Sequence, residues 1–190
     1  MNNRQFENQT FTKQDFTKTK LAFGDYDSCI FTDCIFSEVS LSGFSFTDCQ
    51  FIDCNLSLVR LDKTALKEVS FINCKLLGVH FETCNDFLFS VSFESCILNL
   101  ACFYRLSLKK IRFSGSSLKE TDFTETDLSG ADFDHCDLNG AVFVNSNLEK
   151  ADFRTASHFS LDPEKNKLKK AKFSVSGLPG LLDKYQIEIS

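Results

Sequence analysis

A large apolar side chain returns at every fifth position along nearly the whole chain. From Phe6 the series passes through Phe11, Phe16, Leu21, Tyr26 and Phe31 to Phe81, slips by two residues, resumes at Leu88 and continues to Phe153. Helices repeat every 3.6 residues and strands every 2, so neither amphipathic pattern accounts for the series. Call each apolar centre i. Position i−2 is small or compact, as at Cys29, Cys34, Cys54, Cys74, Cys96, Ala131 and Cys136, and Asp, Asn, Ser, Thr and Gly fill the positions between. A fixed repeat this dense predicts a solenoid. Its elements are short sides of five residues, each sending one large and one small side chain inward, with four sides to a coil of about twenty residues. Gly43, Gly78, Gly115, Gly130 and Gly140 all fall at i+2, where a corner calls for positive φ.

The coil length can be checked inside the sequence. With two extra residues bulging out near Asn85, every fourth centre reads Phe11, Phe31, Phe51, Phe71, Phe93, Phe113, Phe133, Phe153. The next column becomes all Leu from Leu56 through Leu76, Leu98, Leu118 and Leu138. Residues 1–173 therefore read as one continuous coil with a bulge near 83–87 and an irregular turn over 154–167, where the centres fail at His158 and Pro163. At about 4.8 Å per coil, roughly eight turns make a rod of about 40 Å. Arg4, Gln9 and Gln14 do not suit an interior, so the coil proper is expected to start near Thr19, with Phe6, Phe11 and Phe16 in a looser cap. The slip places Phe87 and Phe89 outward, either as an exposed anchor or as part of a bulge folded back on the coil. The tail, residues 174–190, leaves the repeat. Gly177 and Pro179 start a short helix carrying Leu181, Leu182 and Tyr185, followed by an extended Ile187-Glu188-Ile189.

Seven of the nine cysteines occupy the small inward position, where an unpaired Cys packs as a compact hydrophobe. Cys34, Cys54, Cys74 and Cys96 share one column, which leaves a metal site or a redox ladder as the alternative. No CxxC or Cys/His ligand spacing supports it, so neither metal nor cofactor is expected. Unpaired Cys points to a reducing compartment. The opening residues hold no apolar signal core and no stretch approaches a membrane span, so the expected location is cytoplasmic. His80, His135 and His158 have no inferable nucleophile beside them, and no Gly-rich phosphate loop is present, so the chain is not expected to be an enzyme.

The net charge of −5 is unevenly placed. The face of the Phe column carries Asp33, Asp53, Glu94, Asp132, Asp134 and Asp152. The face before it carries Glu7, Asp25, Asp27, Asp48, Glu68, Asp127 and Glu149. The two faces adjoin, so negative charge gathers along one edge, either as a solubilising surface or as a partner's landing site.

The repeat unit, roughly A-(D/N)-L-x-x over about residues 19–153, resembles the pentapeptide-repeat family. That resemblance implies an all-β solenoid, a right-handed quadrilateral β-helix. The NLSLV…FINCKLLGVHF stretch and the LKKAKFS…LPGLLDKYQIEI tail resemble the Qnr-like and McbG-like branch. Such proteins bind type II topoisomerases (DNA gyrase and topoisomerase IV) and protect them from quinolones or peptide toxins by DNA mimicry. By that resemblance Asp25, Asp27, Asp33, Asp48, Asp53, Asp127, Asp132 and Asp134 stand in for phosphates, and the chain itself binds no nucleic acid. The resemblance also implies a homodimer joined through Leu178, Leu181, Leu182, Tyr185 and Ile187; a monomeric cap is the other reading of the tail. The competing function is a protein-interaction scaffold with no topoisomerase partner.

Overall fold

A computed structural model of the chain describes residues 4–188. Its strands are short: β1 (Arg4–Glu7), β2 (Thr10–Thr12), β3 (Gly24–Asp27), β4 (Ile30–Thr32), β5 (Ser45–Thr47), β6 (Gln50–Ile52), β7 (Ala65–Lys67), β8 (Val69–Ile72), β9 (Val91–Glu94) and β10 (Phe113–Ser114). They form two wholly parallel sheets, β1-β3-β5-β7 and β2-β4-β6-β8-β9-β10. In the larger sheet Phe11 lies opposite Phe31, then Phe51, Phe71, Phe93 and Phe113. The period is the expected one, and the chain is an all-β solenoid. Regular strand pairing runs through the six strands of this sheet, fewer than the roughly eight coils expected. Past Ser114 that side continues by single bridges, Arg112 with Asp132, Asp132 with Asp152 and Asp152 with Lys172. Among the described residues no helix is long and apolar enough to cross a membrane.

The corners explain how so short a side can repeat. The i+2 residue is left-handed at Gly43 (φ 78°) and Gly140 (φ 72°), but also at Asp33, Asp48 and Asp53 (each φ 54°). A non-glycine residue there costs about 1–2 kcal/mol. Its backbone N–H is turned toward the following coil in return: Asp33 donates to Ile52 O and Asp53 to Ile72 O, both at 3.0 Å.

Inside, the Phe column is a stack. Phe31, Phe51, Phe71, Phe93 and Phe113 follow one another at centroid separations of 4.8, 5.2, 5.3 and 5.4 Å. Phe103, Phe123 and Phe143 meet it edge-on from another side. Cys34, Cys54, Cys74 and Cys96 are buried, unpaired and stacked as expected. Each of the last three donates its thiol to a carbonyl of the preceding coil: Cys54 to Phe31 O (3.3 Å), Cys74 to Phe51 O (3.2 Å), Cys96 to Phe71 O (3.3 Å). Thr121, Thr126 and Ser146 repeat the bond to Leu98 O, Phe103 O and Phe123 O. The small inward position thus takes a compact side chain, and where that side chain carries a donor, as Cys, Ser and Thr do, the preceding coil supplies the acceptor, while Ala and Val fill the same place elsewhere. Burial pushes the Cys49 and Cys136 thiols up to about 12, which leaves them protonated and inert.

Four expectations are corrected. The coil starts at Arg4, not near Thr19: Phe6 stacks on Tyr26 at 4.6 Å and Phe11 on Phe31 at 4.7 Å. Arg4, Gln9 and Gln14 are tolerated because, among the described residues, no coil covers theirs, and all three are exposed. At the slip Ala65 still bridges Asn85, so the detour lies over 86–89. Leu88 is not an inward centre; it is exposed and left-handed, while Phe89, expected outside, packs on the core. Phe87 is exposed as expected. In the irregular turn Phe159 and Leu161 fill the interior in place of His158 and Pro163, and buried Asn166 donates to Phe143 O and Asp162 O.

The tail is two 3-10 helices, Val175–Leu181 and Asp183–Tyr185, and starts before Gly177 because Ser174 caps it, accepting from the Gly177 N–H at 3.1 Å. Gln186 then turns left-handed. Ile189 lies outside the described residues. Leu181 packs on the core, whereas Leu178, Tyr185 and Ile187 are exposed.

Candidate partner-binding surface

Each acid of the predicted edge owes its position to the five-residue register. Asp25 and Asp27 flank inward Tyr26 on β3, and Asp132 and Asp134 flank inward Phe133, so alternation about a buried centre turns both members of each pair outward. Asp127 precedes buried Leu128, and Asp33, Asp48 and Asp53 occupy corners. Asp27, Asp33, Asp48 and Asp53 are exposed; Asp25, Asp127, Asp132 and Asp134 are half-buried.

The eight carboxylates fall into two groups along the rod. The corner column runs from Asp53 through Asn73 and Ser95 to Gly115 and His135, four coils on. At about 4.8 Å per coil the groups stand roughly 19 Å apart. That exceeds the screening length of about 8–10 Å at physiological salt. Between them Glu68 and Glu94 continue the acidic edge, and Lys109, Lys110 and Arg112 lie exposed on the same two faces.

Local partners differ between the patches. In the first, Asp27 accepts from Ser28 Oγ at 2.7 Å and Asp53 from the Asn73 amide. In the second, Asp127 accepts from the Ser129 N–H and from Asn147 Nδ2, both at 3.0 Å, with Lys109 Nζ at 3.6 Å. Asp134 accepts from Thr155 Oγ1 at 2.9 Å and faces His135 Nε2 at 3.7 Å. Asp132 lies between Arg112 and Asp152 in its column.

Asp152 itself is taken up. Arg154 donates through Nε and Nη2 at 2.9 and 2.8 Å, and Lys172 Nζ reaches it at 3.2 Å. The Arg154 hydrogen bonds, ahead of the weaker opposing effect of burial, hold its carboxyl well below the usual carboxylate range. Sorting charges by face missed this, because Arg154 and Lys172 belong to the irregular turn and the last coil. The twenty-residue step from Asp152 to Lys172 was the signal that would have found the second of them.

At the C-terminal end the tail is pinned to the last coils. Lys184 Nζ lies 2.8 Å from both Asp162 and Glu164, and Tyr185 Oη donates to Glu164 at 3.2 Å. Of the expected dimer residues, Leu178, Tyr185 and Ile187 offer apolar surface, Leu182 is half-buried, and Leu181 is turned to the core.

The same rod is found among solved structures. A trypsin-treated variant of QnrB1, a plasmid-mediated fluoroquinolone resistance protein, superposes with a TM-score of 0.63 at 16% identity, covering 98% of this chain and 100% of that one. Full-length QnrB1 gives 0.51 at 20% identity, covering 97% and 100%. No curated protein sequence matches the chain. The family model of the pentapeptide repeat region matches residues 25–85 and 87–162, the two stretches meeting at residue 86 where the coil makes its detour. With a five-residue register, four-sided coils and that match over most of its length, the chain belongs to the pentapeptide-repeat family.

Proposed function

We propose that this protein docks on the DNA-binding surface of a bacterial type II topoisomerase, in place of DNA, and shields the enzyme from quinolones or peptide toxins. The observation that carries the reading is the end-to-end likeness to QnrB1, a fluoroquinolone resistance protein, over 98% of the chain. The surface chemistry is consistent with it. A groove built to neutralise phosphates attracts any anionic rod of suitable spacing. Asp27, Asp33, Asp48 and Asp53 supply exposed carboxylates beside half-buried Asp25, and the patch of Asp127, Asp132 and Asp134 supplies carboxylates held among neighbours. On this reading the protein works in the cytoplasm, performs no catalysis, binds no nucleic acid itself, and pairs with a second copy through its tail.

The test is gyrase supercoiling with and without the protein, repeated across a fluoroquinolone titration at low salt. Relief of drug inhibition supports the proposal; unchanged supercoiling and drug sensitivity with both gyrase and topoisomerase IV overturns it. A second reading, a scaffold for some other protein, draws on Lys109, Lys110 and Arg112, which interrupt the acidic edge. It is the reading that remains if both topoisomerases are unaffected.

A further inference from the structure

On a side of the rod away from the acidic edge, three consecutive coils bring together an unlike set of side chains. His80 and Cys102 are bridge partners across neighbouring coils, and Cys102 bridges Asp122 in the next. Glu82 sits two residues beyond His80 in the 3-10 turn Phe81–Thr83, which Thr83 Oγ1 closes on His80 O at 2.8 Å. His80 Nδ1 and Glu82 Oε1 are 2.7 Å apart, and Cys102 Sγ stands 4.0 Å from Asp122 Oδ2. One ligand atom from each of His80, Glu82 and Cys102 lies within 4.8 Å of the others.

A second observation points to a missing occupant. Glu82 Oε2 is shielded from solvent and takes no hydrogen bond, the only such side-chain atom among the described residues. A buried carboxylate oxygen left bare is costly, and a cation relieves that cost directly. Cys102 is also the only half-buried cysteine of the nine; the rest are buried.

We propose that His80, Glu82 and Cys102 bind one zinc ion, with Asp122 as the fourth ligand. Imidazole, thiolate and carboxylate together suit zinc, and its tetrahedral shell carries ligands at about 2.0–2.3 Å. Such a shell has edges of about 3.3–3.8 Å, which side-chain rotation reaches from the separations among His80, Glu82 and Cys102, and Asp122, 4.0 Å from Cys102 Sγ, is the neighbouring carboxylate placed to complete it. The ion would staple the coil before the detour at 86–89 to the two coils after it. The expectation of no metal rests on CxxC or Cys/His ligand spacing; in this set His80 and Cys102 lie 22 residues apart across the slip, and Glu82 joins them through the 3-10 turn.

The experiment uses the full chain, freed of metal with a chelator and titrated with zinc sulfate by calorimetry. Cobalt(II) serves as the optical probe. The expected result is one ion per chain, a tetrahedral cobalt spectrum with a thiolate charge-transfer band, and protection of Cys102 from iodoacetamide by zinc. Cys102→Ser should abolish the charge-transfer band, and His80→Ala and Glu82→Gln should each weaken zinc by at least about tenfold, judged against the outer-shell losses of 10–100-fold. All three should keep the circular dichroism of the metal-free parent. No binding at micromolar zinc overturns the proposal. So does a charge-transfer band that survives Cys102→Ser, which would put the metal on another cysteine.

Discussion

Gly180 rests directly on the backbone of Phe159. A Cβ at that position would lie 2.2 Å from the Phe159 carbonyl oxygen, and the Leu161 N–H donates to Gly180 O at 2.8 Å. The contact is with backbone, so nothing flexible can yield. Gly180→Ala should lift the tail from the last coil at a cost of about 1–3 kcal/mol, the usual range for overpacking. Hydrogen exchange should speed up over residues 175–185 and leave the Phe column protected. Unchanged exchange in the tail would contradict the packing.

The tail should also respond to acid. Hydrogen bonds from Lys184 lower the pKa of Asp162 and Glu164, and the same pairs raise that of Lys184. Carboxylates with depressed folded values stabilise above their ordinary values and lose that contribution as pH falls through the folded ones. The raised lysine keeps its contribution until pH climbs past its ordinary value. The pairing should therefore hold from roughly pH 5 to 10 and fade below it. Tail exchange measured against pH should show protection lost on the acid side first, and Lys184→Met should flatten the dependence.

In the centre of the rod, Phe113 lies between Phe93 and Phe133, each at 5.4 Å, with Phe103 and Phe123 edge-on. Phe113→Ala should cost about 3–5 kcal/mol through the cavity it leaves. Phe11→Ala should cost less, since that ring is only partly buried on the end coil. Equal chemical-denaturation midpoints for the two variants would contradict this ordering.

Truncation after Phe173 tests assembly. If the tail joins two copies through Leu178, Tyr185 and Ile187, the truncated chain should show half the light-scattering mass at micromolar concentration while keeping its β-type circular dichroism. A full-length protein that is already monomeric would refute the pairing.

For the acidic patches, Asp127→Asn, Asp132→Asn and Asp134→Asn together should weaken topoisomerase binding and leave the melting temperature nearly unchanged. Binding should also fall with added salt, since exposed charges are screened beyond about 8–10 Å. Glu120→Gln, on another side, is the control. Equal losses from the triple variant and the control would remove the edge from the interaction.

What the sequence disclosed and what it hid follow from the same arithmetic. A fixed period converts residue number into side and coil, so the stack from Phe31 to Phe113 and the column from Cys34 to Cys96 were legible before any coordinates. Spacing cannot choose among Phe87, Leu88 and Phe89, three apolar residues in a row where the count slips; packing selects Phe89. Polar Gln9 and Gln14 argued against a coil at that end, yet both are exposed while Phe6 and Phe11 pack inward. The partners of Asp152, Arg154 two residues on and Lys172 in the next coil, were hidden because pairing depends on side-chain reach, which a count of charges per face leaves out.

The detour at 86–89 has one more consequence. The chain leaves after Asn85, which still bridges Ala65, and returns with the Ser90 N–H on Leu66 O at 3.0 Å and Val91 opposite Val69. Between those anchors only Phe89 packs on the interior; Asp86, Phe87 and Leu88 are exposed. An excursion that keeps Phe89 in place and closes on the same two anchors leaves the rings below and above it in step, so this corner is the rod's natural splice point, where a recognition loop can be grafted without refolding its host.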